Sequence, residues 1–275
     1  MTTDTAAAAD RELIAKHRAM WASGDYPKVA SDLVAPLGPV LVEASRVGRG
    51  DRVLDVAAGT GSAAIVAACR GAEVTASDLT PELLVRGRAI AAERGVQLGW
   101  QEANAEELPF ADNAFDVVLS CIGVMFAPDH QRAADELVRV CRPGGTIGLL
   151  NWTPEGFIGQ MFATMKPYAP TPRPGVRPPP LWGREDHVRG LLGERVSDLA
   201  AERRTLTVDL FRTGQAFRDF FKANYGPTIT AYRSIAPEPD RVAGLDSALA
   251  ELGERFLAGS STMEWEYLVI TGRKR

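Results

Sequence analysis

Two aspartates and two glycines in the first third of the chain lie within or just after short apolar segments. Asp55 falls within an apolar run, and Gly59 and Gly61 follow it closely. Asp78 ends the next short apolar segment. Where a strand, a glycine-rich turn and a helix follow one another, the first N–H groups of the helix have no backbone partner. These N–H groups can bind an anionic group. A carboxylate at the end of the second strand is placed to accept hydrogen bonds from ribose hydroxyls, so these residues predict a nucleotide-type ligand.

The glycine turn by itself is compatible with two enzyme classes. Gly59-x-Gly61-x-x-Ala64, followed by Asp78, matches the dinucleotide fingerprint of NAD(P)-dependent oxidoreductases. Asp55 ahead of the same glycines matches instead the Asp-x-x-x-Gly-x-Gly turn of a methyltransferase. The sequence contains no Tyr-x-x-x-Lys pair for hydride chemistry, so the oxidoreductase is the alternative interpretation.

The elements around these residues alternate between strand and helix. Thr80-Pro81 is a typical helix start and Gly95 a typical helix end. Such alternation is typical of a parallel, doubly wound sheet. We expect an α/β fold with a Rossmann-like, mostly parallel sheet of seven strands, the last of them antiparallel. The apolar segments that predict the strands are 52–56, 72–77, 96–100, 115–120, 146–151, 204–210 and 263–272.

The regular alternation stops after residue 152. Seven prolines lie between residues 167 and 180, which excludes a helix or a central strand there. We therefore expect four regions: an N-terminal helical cap (1–48), a Rossmann-like cofactor-binding core (49–152), a substrate-cover region with the sixth strand (153–262), and the final strand of the core sheet (263–275).

Composition limits the class of protein. The 275-residue chain has a net charge of −4 and scattered Lys and Arg, which argues against a nucleic-acid partner. The longest apolar run, 117–127, is too short to span a bilayer, and no signal peptide is evident. Cys69, Cys121 and Cys141 lack CxxC spacing and predict small core residues rather than a metal site. We predict a cytoplasmic protein without a membrane partner, and leave monomer and homodimer open.

Four segments resemble, in the same order, the class I S-adenosylmethionine-dependent methyltransferases, in particular the ubiquinone/menaquinone-biosynthesis-like group. The resemblance fades outside residues 48–152. It implies S-adenosyl-L-methionine as the cofactor, S-adenosyl-L-homocysteine as the product, no metal, and an activity of the EC 2.1.1 class. The matching segments are Val-Leu-Asp-Val-Ala-Ala-Gly-Thr-Gly (53–61), Ser-Asp-Leu-Thr-Pro-Glu-Leu-Leu (77–84), Asn-Ala-Glu-Glu-Leu-Pro-Phe-Ala-Asp-Asn-Ala-Phe-Asp-Val-Val (104–118) and Glu-Leu-Val-Arg-Val-Cys-Arg-Pro-Gly-Gly (136–145).

The resemblance also implies roles for single residues. Asp55 would lie near the ammonium group of the cofactor's methionine, or else be held by N–H groups of the turn. Asp78 would bind the ribose, since Thr80 is available to cap the next helix. Asn104 stands where the family has Asp, and Ala57 stands where it commonly has Gly. The residues expected to bind the cofactor are Tyr26, Asp55, Ala57, Gly59, Thr60, Gly61, Asp78, Leu79, Asn104, Ala105 and Cys121.

Methyl transfer from a sulfonium is an in-line displacement that depends on positioning, and a base is needed only for a protonated nucleophile. His130 is a candidate base, with a solvated residue at a helix start as the alternative.

The acceptor is predicted to be a small molecule that is apolar or contains a ring, bound by Trp152, Phe217 and Tyr225. A cofactor-binding protein without catalytic activity is a further alternative. Trp21, like Tyr26, is placed to close over the methionine half of the cofactor, with core packing as the alternative for Trp21. His17 fits a helix face that packs in the core.

Overall fold

The computed structural model describes residues 2–275, with side chains from Arg11 onward. Within that range seven strands form one sheet in the order β3-β2-β1-β4-β5-β7-β6. Strands β1 to β5 run parallel, and β7 is antiparallel to its neighbours, which confirms the predicted fold. The strands are β1 (Arg52–Val56), β2 (Glu73–Asp78), β3 (Gly99–Glu102), β4 (Phe115–Cys121), β5 (Cys141–Trp152), β6 (Val196–Val208) and β7 (Met263–Lys274).

Helices cover the sheet and precede it. A π-helical turn, Ala30–Val34, continues α2, and a short 3₁₀ helix, Val124–Phe126, follows β4. The helices are α1 (Thr2–Trp21), α2 (Tyr26–Val29), α3 (Leu37–Ala44), α4 (Ser62–Cys69), α5 (Pro81–Glu93), α6 (His130–Val140), α7 (Phe157–Met165), α8 (Glu185–Leu192), α9 (Gly214–Asn224), α10 (Gly226–Ile235) and α11 (Pro239–Leu257).

The central strands are apolar on both faces because helices cover both sides of the sheet. Leu54 of β1 pairs with Thr75 of β2 on one side and with Val118 of β4 on the other, and Leu54 and Val118 are fully buried. The carboxyl ends of β1, β2, β3 and β4 therefore meet at one edge of the sheet. Ligands bind at this edge in open α/β sheets, since the strand order reverses between β1 and β4.

Strand β6 is longer than the sequence predicts. It begins at Val196 rather than at residue 204 and pairs along its length with β7. Its side chains alternate between partly buried and exposed because the strand lies at the edge of the sheet. Polar residues such as Asp198 and Arg203 fill the exposed positions, so this half of the strand lacks the apolar signal of a buried one.

The prediction that all three cysteines are core residues is wrong for Cys69. Cys121 and Cys141 are buried, whereas Cys69 is exposed at the end of α4. Across the described residues, no helix has the length and apolar character needed to cross a membrane.

Candidate active site

A cleft of about 640 Å³ opens at the carboxyl ends of the parallel strands. Its walls come from the segments that follow β1, β2, β3 and β4, and from helices α1 and α2. We call it the cleft. Its lining residues are His17, Trp21, Tyr26, Ala57, Gly59, Asp78, Leu79, Leu83, Ala103, Asn104, Ala105, Ile122, Gly123, Phe126, Ala127 and Pro128.

The turn after β1 forms the floor of the cleft. Gly59 has a φ of 57°, a left-handed conformation that glycine adopts without strain. Ala57, where the family commonly has glycine, has a φ of 54° and is therefore strained. Gly123 lies so close that a Cβ there would be 2.1 Å from the Ala57 carbonyl oxygen. The loops after β1 and β4 thus fix each other in place at the floor of the cleft.

Asp78 joins this turn to the start of α5. Its Oδ2 accepts a hydrogen bond from the Gly59 N–H at 2.8 Å, and its Oδ1 accepts one from the Thr80 N–H at 2.8 Å. Burial raises the pKa of the Asp78 carboxyl. The expectation that Thr80 caps α5 with its side chain is wrong, because the Thr80 hydroxyl has no partner among the described residues. Asp78 lines the cleft, and each of its oxygens has a lone pair left to accept a further bond.

Asp55 lies below the turn and is 1% exposed. Its Oδ2 accepts a hydrogen bond from the Ala64 N–H in the first turn of α4, at 2.9 Å. Its Oδ1 is buried and has no partner within the described part of the chain. Burial raises the pKa of Asp55 to about 7, and the nearby charge of Asp78 adds to the shift. A buried carboxylate oxygen without a partner favours a cationic group beside it.

Asn104 and Ala105 line the part of the cleft that follows β3, beside Leu79. The Asn104 Oδ1 accepts a hydrogen bond from the Glu106 N–H at 3.1 Å, so part of its accepting capacity is used within its own loop. Asn104 itself is a lining residue of the cleft, and its contact with adenine stays a prediction.

Three aromatic side chains line the cleft on the side of the N-terminal helices, namely Trp21, Tyr26 and Phe126. Trp21 contacts Tyr26, Phe126 and Tyr225, with ring centroids 5.3, 4.6 and 5.8 Å apart. Tyr26 lies over the glycine turn, since a Cβ at Gly59 would be 3.3 Å from its Cε1. Trp21 lines the cleft, and so does His17, which the sequence predicts to be a core residue.

Four of the residues expected to bind the cofactor lie beneath the lining rather than in it, namely Asp55, Thr60, Gly61 and Cys121. Thr60 and Gly61 complete the turn, and the Trp100 ring packs where a Gly61 side chain would be. Cys121 is buried, and its burial together with the charge of Asp55 raises the pKa of its thiol. Ile122, one residue further on, lines the cleft with a φ of 61°. A β-branched residue in this conformation is rare, and the sequence carries no signal for it.

A second cavity lies next to the cleft and shares three of its walls, Tyr26, Ile122 and Phe126. We call it the chamber. Every lining side chain that the structure describes is uncharged. The remaining lining residues are Val29, Leu33, Val34, Trp152, Ile158, Phe221, Tyr225 and Trp265.

The structure places two of the three predicted acceptor residues, Trp152 and Tyr225, at the chamber. Phe217 is fully buried in an aromatic cluster instead. Its ring lies 4.8 Å from Phe157 and 4.8 Å from Phe221, centroid to centroid.

His130 is a buried residue at the first position of α6. It is 1% exposed, so the interpretation as a solvated residue is wrong. Its Nδ1 lies 2.9 Å from His187 Nε2, and its ring lies 5.5 Å from that of Trp182. Burial, together with His187, lowers the pKa of His130 to about 4, which makes it a weak base. The structure brings His130 to His187 rather than to the cleft or the chamber.

Within the described residues, no three His, Cys, Asp or Glu side chains form a group that could hold a metal ion. The site is therefore built from carboxylates, backbone N–H groups and aromatic rings.

Comparison with known proteins agrees with this geometry. The Methyltransferase domain family matches residues 54–149. An uncharacterised protein of Mycobacterium tuberculosis is 56% identical over 275 residues, which is 100% of both chains. The demethylmenaquinone methyltransferase of Thermus thermophilus is 41% identical over 115 residues, covering 40% of this chain and 52% of that protein.

A solved structure shares the fold. Phosphoethanolamine N-methyltransferase 2 of Haemonchus contortus, in complex with S-adenosyl-L-methionine, superposes with a TM-score of 0.55 at 15% identity. The match covers 87% of this chain and 52% of that one. From the matched domain and the sheet order, residues 54–149 are a methyltransferase domain with the class I fold, and this domain is similar to those of the ubiquinone/menaquinone-biosynthesis-like group.

Proposed function

We propose that the chain transfers the methyl group of S-adenosyl-L-methionine to an uncharged, ring-containing small molecule held in the chamber. One observation carries this proposal: the cleft and the chamber share Tyr26, Ile122 and Phe126 as walls. An acceptor in the chamber would therefore lie directly beside a cofactor in the cleft. The Thermus relative is named for demethylmenaquinone, which also contains a ring.

The residues of the cleft fit this cofactor. Asp78 would accept hydrogen bonds from the ribose hydroxyls, and Asn104 and Ala105 would contact the adenine. The unpartnered Oδ1 of Asp55 would face the ammonium group, which supplies the positive charge that the buried oxygen lacks. When bound, the cofactor supplies a methyl group on a sulfonium, which is already activated for displacement.

The chain's own contribution is positioning and the exclusion of water. Tyr26, Ile122 and Phe126 would hold the two ligands on either side of one narrow passage. Alignment of this kind supplies roughly 7–11 kcal/mol in favourable cases. Transfer of this methyl group to an uncharged acceptor would use a lone pair of the acceptor for the new bond, and the positive charge of the sulfonium would pass to the methylated acceptor.

The chamber is poorly equipped for general base catalysis. Among its described lining residues only Tyr26 and Tyr225 titrate, and burial raises the pKa of both phenols. Both stay protonated at neutral pH and cannot accept a proton from the acceptor. We therefore infer that the nucleophilic atom of the acceptor arrives unprotonated.

The first experiment is calorimetric titration with S-adenosyl-L-methionine, S-adenosyl-L-homocysteine and NAD(H). We expect the first two to bind and NAD(H) not to bind. Asp78→Ala should weaken their binding by about 100-fold, because it removes a buried hydrogen-bonding carboxylate. Asp209→Ala, at an exposed aspartate after β6, should bind like the wild type.

Binding of NAD(H) alone would overturn the proposal in favour of an oxidoreductase. Tight binding of S-adenosyl-L-methionine without turnover over a panel of ring-containing acceptors would favour a non-catalytic cofactor-binding protein.

A further inference from the structure

The chamber contains one buried polar group that the protein itself leaves unused. Trp265, on β7, is 1% exposed and lines the chamber. Its indole Nε1 is buried and has no hydrogen-bond partner among the side chains and backbone that the structure describes. A buried N–H group without a partner costs about 1–3 kcal/mol and is rare in native proteins.

Three neighbouring aromatic rings hold the Trp265 indole in place beside the chamber. Phe157 stacks on it with centroids 4.8 Å apart and planes 15° apart, and Phe211 lies nearly parallel at 6.3 Å. Trp152 meets it at 77°, with centroids 5.9 Å apart. Phe157 thus covers one face of the indole, and the Nε1–H is the polar atom that Trp265 brings to the lining of the chamber.

We propose that Trp265 selects the acceptor by donating its indole Nε1–H to an accepting atom, such as a carbonyl oxygen, on an uncharged ring. This inference rests on the proposed function and adds a chemical requirement to it. An apolar wall binds all rings of suitable size about equally well. A buried donor without a partner discriminates against rings that lack the accepting atom.

Trp182 shows why the location of the indole matters. Its Nε1 is also buried and unpartnered within the described residues, but its ring packs against His130 at 5.5 Å, in the contact between α6 and the segment before α8. Trp182→Phe therefore removes an equivalent unpartnered indole at a place away from the lining of the chamber, which makes it a matched control.

The test uses 1-indanone and indane, which share one bicyclic skeleton and differ by a carbonyl group. Both are titrated into protein saturated with S-adenosyl-L-homocysteine. We expect 1-indanone to bind the wild type about tenfold more tightly than indane. Trp265→Phe should reduce this ratio to near one and leave the affinity for indane unchanged. Trp182→Phe should keep the ratio of the wild type.

A second measurement detects the proposed hydrogen bond of Trp265 in the wild-type protein, without a variant. In a ¹H–¹⁵N spectrum, the indole proton of Trp265 should move downfield with 1-indanone and stay in place with indane. The chain has five tryptophans, so Phe variants of the other four assign this peak by elimination if Trp265→Phe does not fold.

The inference is overturned if the two probes bind equally well, if neither binds, or if the ratio survives in Trp265→Phe. It is also overturned if the Trp265 indole proton does not respond to 1-indanone. Failure of S-adenosyl-L-homocysteine to bind at the outset would contradict the proposed function instead, so the two failures are distinguishable.

Discussion

The cleft and the chamber share three walls but are built in different ways. Most of the cleft is made by loops at the carboxyl ends of parallel strands, and its polar atoms contact backbone N–H groups. The chamber is made mainly by uncharged side chains of helices and of strands β5 and β7. Every residue that lines only the chamber lies outside 54–149, the part that matches the Methyltransferase domain.

This difference separates the part of the site inside the matched domain from the part outside it. A loop at a strand end presents backbone groups and needs only a few residue types. The chamber depends on side-chain volumes contributed by distant segments. The matched domain therefore contains most of the cleft, and the proposed acceptor depends on residues outside that domain.

Gly123→Ala is the substitution that we expect to disrupt the cleft most. The added Cβ would lie 2.1 Å from the Ala57 carbonyl oxygen, so the loops after β1 and β4 would have to separate. We expect a loss of stability of at least about 1–3 kcal/mol and loss of measurable S-adenosyl-L-homocysteine binding. Thermal denaturation and calorimetry measure the two effects.

Gly190→Ala in α8 is the matched control for this variant. A Cβ at Gly190 meets open space, and alanine favours helix over glycine. We expect stability equal to or slightly above that of the wild type and unchanged binding. Normal S-adenosyl-L-homocysteine binding by Gly123→Ala would contradict the tight packing of the two loops.

The chamber is tested separately by Ile158→Ala. Ile158 is a buried residue of α7 that lines the chamber only. Truncation should cost about 2–5 kcal/mol in the free energy of unfolding, because it leaves a larger cavity. S-adenosyl-L-homocysteine should still bind within twofold of the wild type, as measured by calorimetry under conditions where the variant is folded. A large loss of binding by folded protein would mean that the two cavities do not act independently.

The same contrast explains which features could be predicted from sequence. Gly59 and Asp78 follow directly on buried strands, so local pattern was enough to place them at the edge of the sheet. Phe126 and Ile122 carry no such signal, because a 3₁₀ turn and a positive φ bring them to the cleft.

Residues of the chamber are harder to predict than those of the cleft. Val29 and Trp265 meet there from opposite ends of the chain, and no sequence spacing connects them. Phe217 has the same aromatic character as Tyr225 but packs in the core, since tertiary packing decides which ring faces a cavity. The division into four regions and the cytoplasmic location stay predictions.

The smallest expected effect concerns the pH dependence of binding in the cleft. Burial raises the pKa of Asp55 to about 7, so the carboxyl is largely protonated below that pH in the free protein. The ammonium group of S-adenosyl-L-homocysteine favours the ionised carboxylate. Binding below pH 7 must therefore release a proton, and affinity should rise with pH up to about 7 and then level off. From pH 7 to pH 6 we expect a fall of up to about tenfold.

Calorimetry at pH 6 and pH 7.5, in buffers of different ionisation enthalpy, counts the released protons directly. 5′-Methylthioadenosine is the control ligand, because it lacks the amino acid group and its affinity should not change with pH. Asp55→Asn should remove the pH dependence for S-adenosyl-L-homocysteine, since an amide does not titrate. Equal pH dependence for both ligands would place the titrating group elsewhere and would leave Asp55 as a support of the turn through Ala64. Unequal dependence that disappears in Asp55→Asn would assign the unpartnered oxygen to the ammonium group.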